Sequence, residues 1–149
     1  MYWQEKIDRL KREIDPKDFK VPFTDWSTIL KKIEDKFIIK ENSNHPFSNW
    51  TDRLKDKCKI KELRTLDLET ELKKLTPDEN YWIILTIDNT KTNLVYDSKP
   101  SVILKLLLLR SGDFYIVDKK YNWLTYFKYN QMDIEFFKSG DKQTPWDKE

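Results

Sequence analysis

The chain has 149 residues, with 28 Lys and Arg against 26 Asp and Glu, one Cys, one His, two Gly and no Ala. A length of this order supports one domain and no second core, and six Trp, seven Tyr and eight Phe supply that core, which argues against a disordered chain. A net charge of +2 is too small to draw the whole molecule to nucleic acid, one Cys cannot close an internal disulfide, and two Gly leave no phosphate-cradling loop of the P-loop or dinucleotide-binding kind.

In chain order, Trp3, Ile7, Leu10 and Ile14 recur at steps of four, three and four with charges between them, which predicts one apolar stripe on a helix ended by Pro16. Thr24 or Asp25 then caps a second helix whose stripe is Trp26, Ile29, Leu30, Ile33 and Phe37. The two helices are expected to share a core. Residues 41–47 (ENSNHPF) form a polar turn, and Ser48 is placed to cap a short helix carrying Trp50 and Leu54. Between Lys55 and Leu63 lysines alternate with Cys58 and Ile60, the pattern of an edge strand, with a frayed helix as the alternative. Thr65–Leu75 reads as helix, with Leu68, Leu72 and Leu75 in register and Pro77 closing it.

The period then changes. Tyr81–Ile87 (YWIILTI) is aromatic and β-branched, and after the turn DNTKTN comes Leu94–Tyr96, which together predict a hairpin. Ser98 and Pro100 open a helix running through Leu109 to a stop at Gly112, apolar enough to be deeply buried. Strands follow at Phe114–Val117, Trp123–Tyr129 and Ile134–Phe137, and the tail is polar except for Trp146. The predicted core includes Trp26, Ile84, Ile103, Leu107, Ile116 and Trp123. The expected fold is α+β in a single domain over 1–149: N-terminal helices packed on a C-terminal antiparallel sheet with one buried helix inserted, in the order β-β-α-β-β-β. The longest mainly apolar run, Val102–Leu109, is far shorter than the ~20 residues a bilayer crossing needs, and no secretory leader is recognisable, so the expected location is the cytoplasm, with no membrane partner.

Chemistry-bearing patterns are sparse. One Cys and one His at unrelated positions make no zinc site, so neither metal nor cofactor is expected. A nucleophilic pair would require Cys58 with His45, which stand in dissimilar surroundings. Asp133 and Glu135 share one side of a strand and could form an acid/base pair, but a solvated strand face explains them equally well. Arg53, Lys55, Lys57, Lys59, Lys61 and Arg64 face only Asp56 and Glu62 and are the candidate nucleic-acid surface. Edge-strand lysines that prevent sheet-to-sheet association are the favoured explanation of that run, so nucleic acid is the disfavoured partner. In the strand from Trp123, one face carries Trp123, Thr125, Phe127 and Tyr129 and the other Leu124, Tyr126 and Lys128. The first is the more apolar and is expected inside, leaving Tyr126 and Lys128 exposed and Tyr129 at the margin. With Tyr121, Asp133 and Glu135 these make the candidate protein interface, since exposed Tyr beside charge is the composition of interface anchors. Asp78 with Glu79, and Asp141, are further acidic candidates.

The run YWIILTIDNTKTNLVYDSKPSVILKLL followed by DFYIVDKKYNWLTYFKYN resembles small bacterial α+β domains of the immunity type, associated with toxins of polymorphic and contact-dependent systems, over residues 80–130. Tyr115, Ile116, Val117, Trp123 and Leu124 carry the likeness. Such domains often have a His in the polar segment after the Trp-Leu pair; Thr125–Asn130 has none, so no site of that kind is carried over. The resemblance implies a non-enzymatic, inhibitor-like role in the bacterial cytosol, with a cognate toxin protein as partner.

Overall fold

The computed structural model describes residues 2–20, 26–39, 50, 53–87, 92–108, 113–130, 133–140 and 143–146. Four helices flank a seven-stranded sheet in a mixed α and β fold richer in sheet than in helix. The helices are α1 (Tyr2–Glu13), α2 (Trp26–Phe37), α3 (Leu68–Leu72, preceded by a 3-10 turn over Thr65–Asp67) and α4 (Pro100–Leu108). The strands are β1 (Phe19–Lys20), β2 (Cys58–Arg64), β3 (Tyr81–Ile87), β4 (Thr92–Ser98), β5 (Phe114–Asp118), β6 (Leu124–Asn130) and β7 (Asp133–Ser139). Every pairing is antiparallel, in the order β1-β4-β3-β5-β6-β7-β2.

The sheet is not confined to the C-terminal half. β1, two residues after the Pro16 turn, pairs Phe19 with Ser98, and β2 forms the opposite edge against β7. The first half of the chain thus supplies both edges. Alternation then divides the apolar residues between two cores. On one face Tyr81, Ile83, Phe114, Ile116, Phe127, Ile134 and Phe136 join Leu10 of α1, Leu68 and Leu72 of α3, and Val102, Ile103 and Leu106 of α4. On the other, Ile84, Val95, Tyr115, Val117, Leu124 and Tyr126 join Leu30, Ile33 and Phe37 of α2 and Trp50. The expected common core of α1 and α2 is therefore corrected: the two helices lie on opposite faces. A stripe says which side of a helix is buried, not which side of a sheet receives it.

Three other expectations change. α4 is buried on one side only, with Ser101 and Lys105 exposed and Leu104 half-buried. Leu54 makes an isolated bridge with Ile38 instead of a helical turn; residues 41–47 and Ser48 lie outside the described residues. Trp146, in the polar tail, is 1% exposed. Its ring meets Trp123, Phe127 and Phe136 edge-on at 5.7, 5.5 and 5.9 Å, and its Nε1–H donates to the Glu71 carbonyl at 3.0 Å. Of the predicted core, Ile84, Ile103, Ile116 and Trp123 are buried; the side chains of Trp26 and Leu107 lie outside those described. No described helix is long and apolar enough to cross a membrane.

Candidate protein-binding surface

Burial on both faces first redistributes the tyrosines. Tyr126, expected outside, is fully buried: its ring stacks on Tyr115 at 4.9 Å and on Phe137 at 5.8 Å, and its hydroxyl donates to Asp113 Oδ2 at 2.6 Å. The other Asp113 oxygen accepts the Tyr129 backbone N–H at 3.0 Å, so one carboxylate satisfies two groups that burial would otherwise leave unpaired. Tyr129 is half-buried against Phe114, 6.2 Å between rings, and burial pushes its hydroxyl pKa up. Tyr121 sits at positive φ (56°) in the β5–β6 turn, half-buried against the α2 core, with the Lys32 ammonium 5.7 Å from its ring centre. Asp118 Oδ1 holds that turn by accepting the N–H groups of Asn122 and Trp123 at 2.6 and 3.1 Å. Of the aromatic anchors expected on the surface, Tyr126 is therefore removed, and Tyr121 and Tyr129 offer only edges.

Lys128, by contrast, is exposed, as expected from its place in the strand. Strand parity puts it on the α2 face, and the register sets it opposite Glu135, which is opposite Glu62; one step along, Asp133 is opposite Arg64. The Lys59 ammonium pairs with Glu62 and with Glu135 Oε2, the latter at 3.3 Å, and its pKa is raised, chiefly by the hydrogen bond to Glu62. Lys57 lies 4.6 Å over the Phe137 ring and 5.8 Å from that of Tyr126, a placement that covers an apolar ring with an aliphatic stem and a cation.

The single lysine row expected at 55–61 does not form. The strand begins at Cys58, and a β-bulge between Lys59 and Lys61 opposes two residues to one on β7, which turns the following side chains over. Lys61 therefore leaves the row for the other face and pairs with Glu71 at 2.7 Å. Lys55 donates to the Asp35 carbonyl at 2.9 Å, and Arg53 Nη1 reaches the Ile39 carbonyl at 3.5 Å. The basic residues that are contiguous in sequence are thus divided among three locations.

In exchange, the bulge brings residues from both candidate sets onto one surface. Lys57, Lys59, Glu62, Arg64, Lys128, Asp133 and Glu135 occupy the α2 face of β6, β7 and β2, beyond the apolar cluster formed with α2, and all are exposed except half-buried Glu135. Four cations and three carboxylates mix there, with Glu62 and Glu135 directly opposite each other and joined through Lys59. Glu62 was not foreseen, because its place here follows from the bulge, which leaves no local signature; its charge among lysines was the one available signal. Asp78 and Glu79 are exposed away from this surface, and Asp141 and His45 lie outside the described residues.

Glu62 and Glu135 are bridged by a lysine, and no group of three or more metal-ligating side chains occurs among the described residues. Cys58 is exposed and its thiol lies 3.8 Å from the Lys59 carbonyl. No curated protein and no solved structure matches the chain. A model describing a family of unknown function matches residues 5–144, nearly the whole of this fold, and the chain belongs to that family, DUF6756.

Proposed function

We propose that the protein is a non-enzymatic binding module, an immunity-type inhibitor that neutralises a cognate bacterial toxin in the cytoplasm by direct contact. The observation that carries the binding reading is the mixed-charge face of β6, β7 and β2, where Lys128, Glu135, Glu62 and Lys59 run across three hydrogen-bonded strands. A rigid sheet presents such a row without the ordering cost that a loop pays on binding, and its fixed pattern of charge selects a partner by register and rejects mismatched surfaces. The same mixing disfavours phosphate backbones, because Lys59, Arg64 and Lys128 each lie beside a carboxylate. The toxin as partner rests on the resemblance over residues 80–130.

The test is co-expression with the product of the adjacent gene, followed by calorimetry on Lys128→Glu and on Glu135→Lys. The expected result is a complex that either substitution weakens by about tenfold or more and that protects cells from the neighbouring product. A complex indifferent to both substitutions removes this surface. Absence of protection removes the immunity reading, and duplex DNA binding with a steep salt dependence would replace it with a nucleic-acid one.

A further inference from the structure

A cavity of about 470 Å³ opens between α3 and α4, on the side of the sheet opposite the mixed-charge face. Each helix contributes one stripe to its walls at the i, i+3, i+4 spacing that shares a helix side: Glu69, Leu72 and Lys73 from α3 and its C-cap, and Ser101, Leu104 and Lys105 from α4. Leu72 and Leu75 are buried at its floor, with Pro100 also buried and Pro77 at the rim. At the mouth the two stripes end alike, each in a lysine. Lys73 and Lys105 are exposed, and neither has a carboxylate partner among the described residues, whereas Lys61 and Lys74 nearby are both held by Glu71 at 2.7 and 2.8 Å.

We propose that this cavity is a binding site for a free amphiphilic monoanion, a medium-chain carboxylate, with its chain against Leu72, Leu75 and Leu104 and its head between Lys73 and Lys105. The volume lies in the range of sites that enclose small ligands. An apolar floor removes a hydrocarbon chain from water, and two cations against the single acid Glu69 give the mouth a preference for negative charge. A partner helix is a poor occupant, because such recognition uses anchors over two turns or more and the α3 wall is five residues long.

The full-length protein, titrated with decanoate, decanol and decyltrimethylammonium below their micellar concentrations, tests the assignment by calorimetry and by amide shifts at 72–76 and 101–105. Decanoate is expected to bind one to one, to shift those amides, and to bind about tenfold or more tightly than the cation. Leu104→Trp, at a half-buried position, should fill the cavity and weaken decanoate by about tenfold or more. Lys73→Glu with Lys105→Glu, both at exposed positions, should weaken decanoate similarly while leaving decanol within about twofold. The proposal is overturned if decanoate leaves those amides unmoved, if the cation binds as well as the anion, if both variants bind like the parent, or if association appears only on vesicles of anionic lipid.

Discussion

The two faces of the sheet are closed differently. The face under α1, α3 and α4 is covered as far as β7, where Trp146 closes over Phe127 and Phe136. The opposite face has an apolar cluster with α2 over β3 to β6 and ends in charged side chains on β7 and β2. One sheet thus combines a face covered by three helices with a face that is part apolar and part charged, and helix coverage sets the boundary between them. The same alternation runs through both halves; what differs is whether a helix supplies apolar partners, so exposure at Lys128 and burial at Tyr126, two residues apart on one face, follow from tertiary placement.

The comparison breaks most visibly if the face under the three helices tolerates a hole. Phe127 has no exposed surface and lies 4.5 Å from the Phe114 ring and 4.1 Å from that of Phe136; Phe127→Ala is expected to cost about 3–5 kcal/mol in urea unfolding. A cost below about 1 kcal/mol would mean that this layer is loosely packed.

Next in size is Glu71, the one buried charge on that face among the described residues. Glu71 is 8% exposed and paired with Lys61 and Lys74. Burial pushes its carboxyl pKa up, but the hydrogen bonds from Lys61 and Lys74 pull it further down, so the net shift is below the ordinary carboxylate range. A carboxyl whose folded pKa is depressed contributes stability that is present above its unfolded pKa and lost as pH falls through the folded one. Glu71→Gln is therefore expected to cost about 1.5–3 kcal/mol at neutral pH and less below the ordinary carboxylate range, measured as urea midpoints from pH 7 downward. Equal losses at both ends would assign the effect to packing.

On the α2 face, Tyr126→Phe removes the hydrogen bond to Asp113 and should cost about 1 kcal/mol, which near-UV circular dichroism on heating would read as a small drop in Tm. Smallest of all, Lys128→Glu should stay within about 0.5 kcal/mol of the parent in stability. A larger loss would place Lys128 in the structural framework instead of on the contact surface.

Much of this architecture is legible in the residues. The hairpin of β3 and β4, α4, and the strands β5 to β7 each announce themselves through period, turn residues and β-branched or aromatic content. β1 is not legible, because two residues carry no period. Leu124, Tyr126 and Lys128 form the more polar alternation, which predicts Tyr126 outside, but a sheet covered on both sides buries both sets, and Lys128 escapes only by lying beyond the α2 cluster. The lysine run at 55–61 conceals a bulge that only its pairing with β7 reveals. Trp146 read as a lone aromatic in a tail, since nothing local shows that three aromatic rings wait for it. In each of these cases the deciding partner is distant in sequence, and local reading fails for that reason.

That distance also bears on how quickly the molecule assembles. β2 joins the sheet through Cys58 opposite Lys138 and Arg64 opposite Asp133, a loop closure across more than half of the sheet's strands that only pays back once β7 has formed on β6. The hairpin of β3 and β4 closes locally and needs no such wait. Refolding is therefore expected to be slow for a chain of this size, as it is for topologies dominated by remote pairing. The charged face of β6, β7 and β2 is then expected to be the last part of the sheet to form, and a newly made chain completes it only after the other strands have paired.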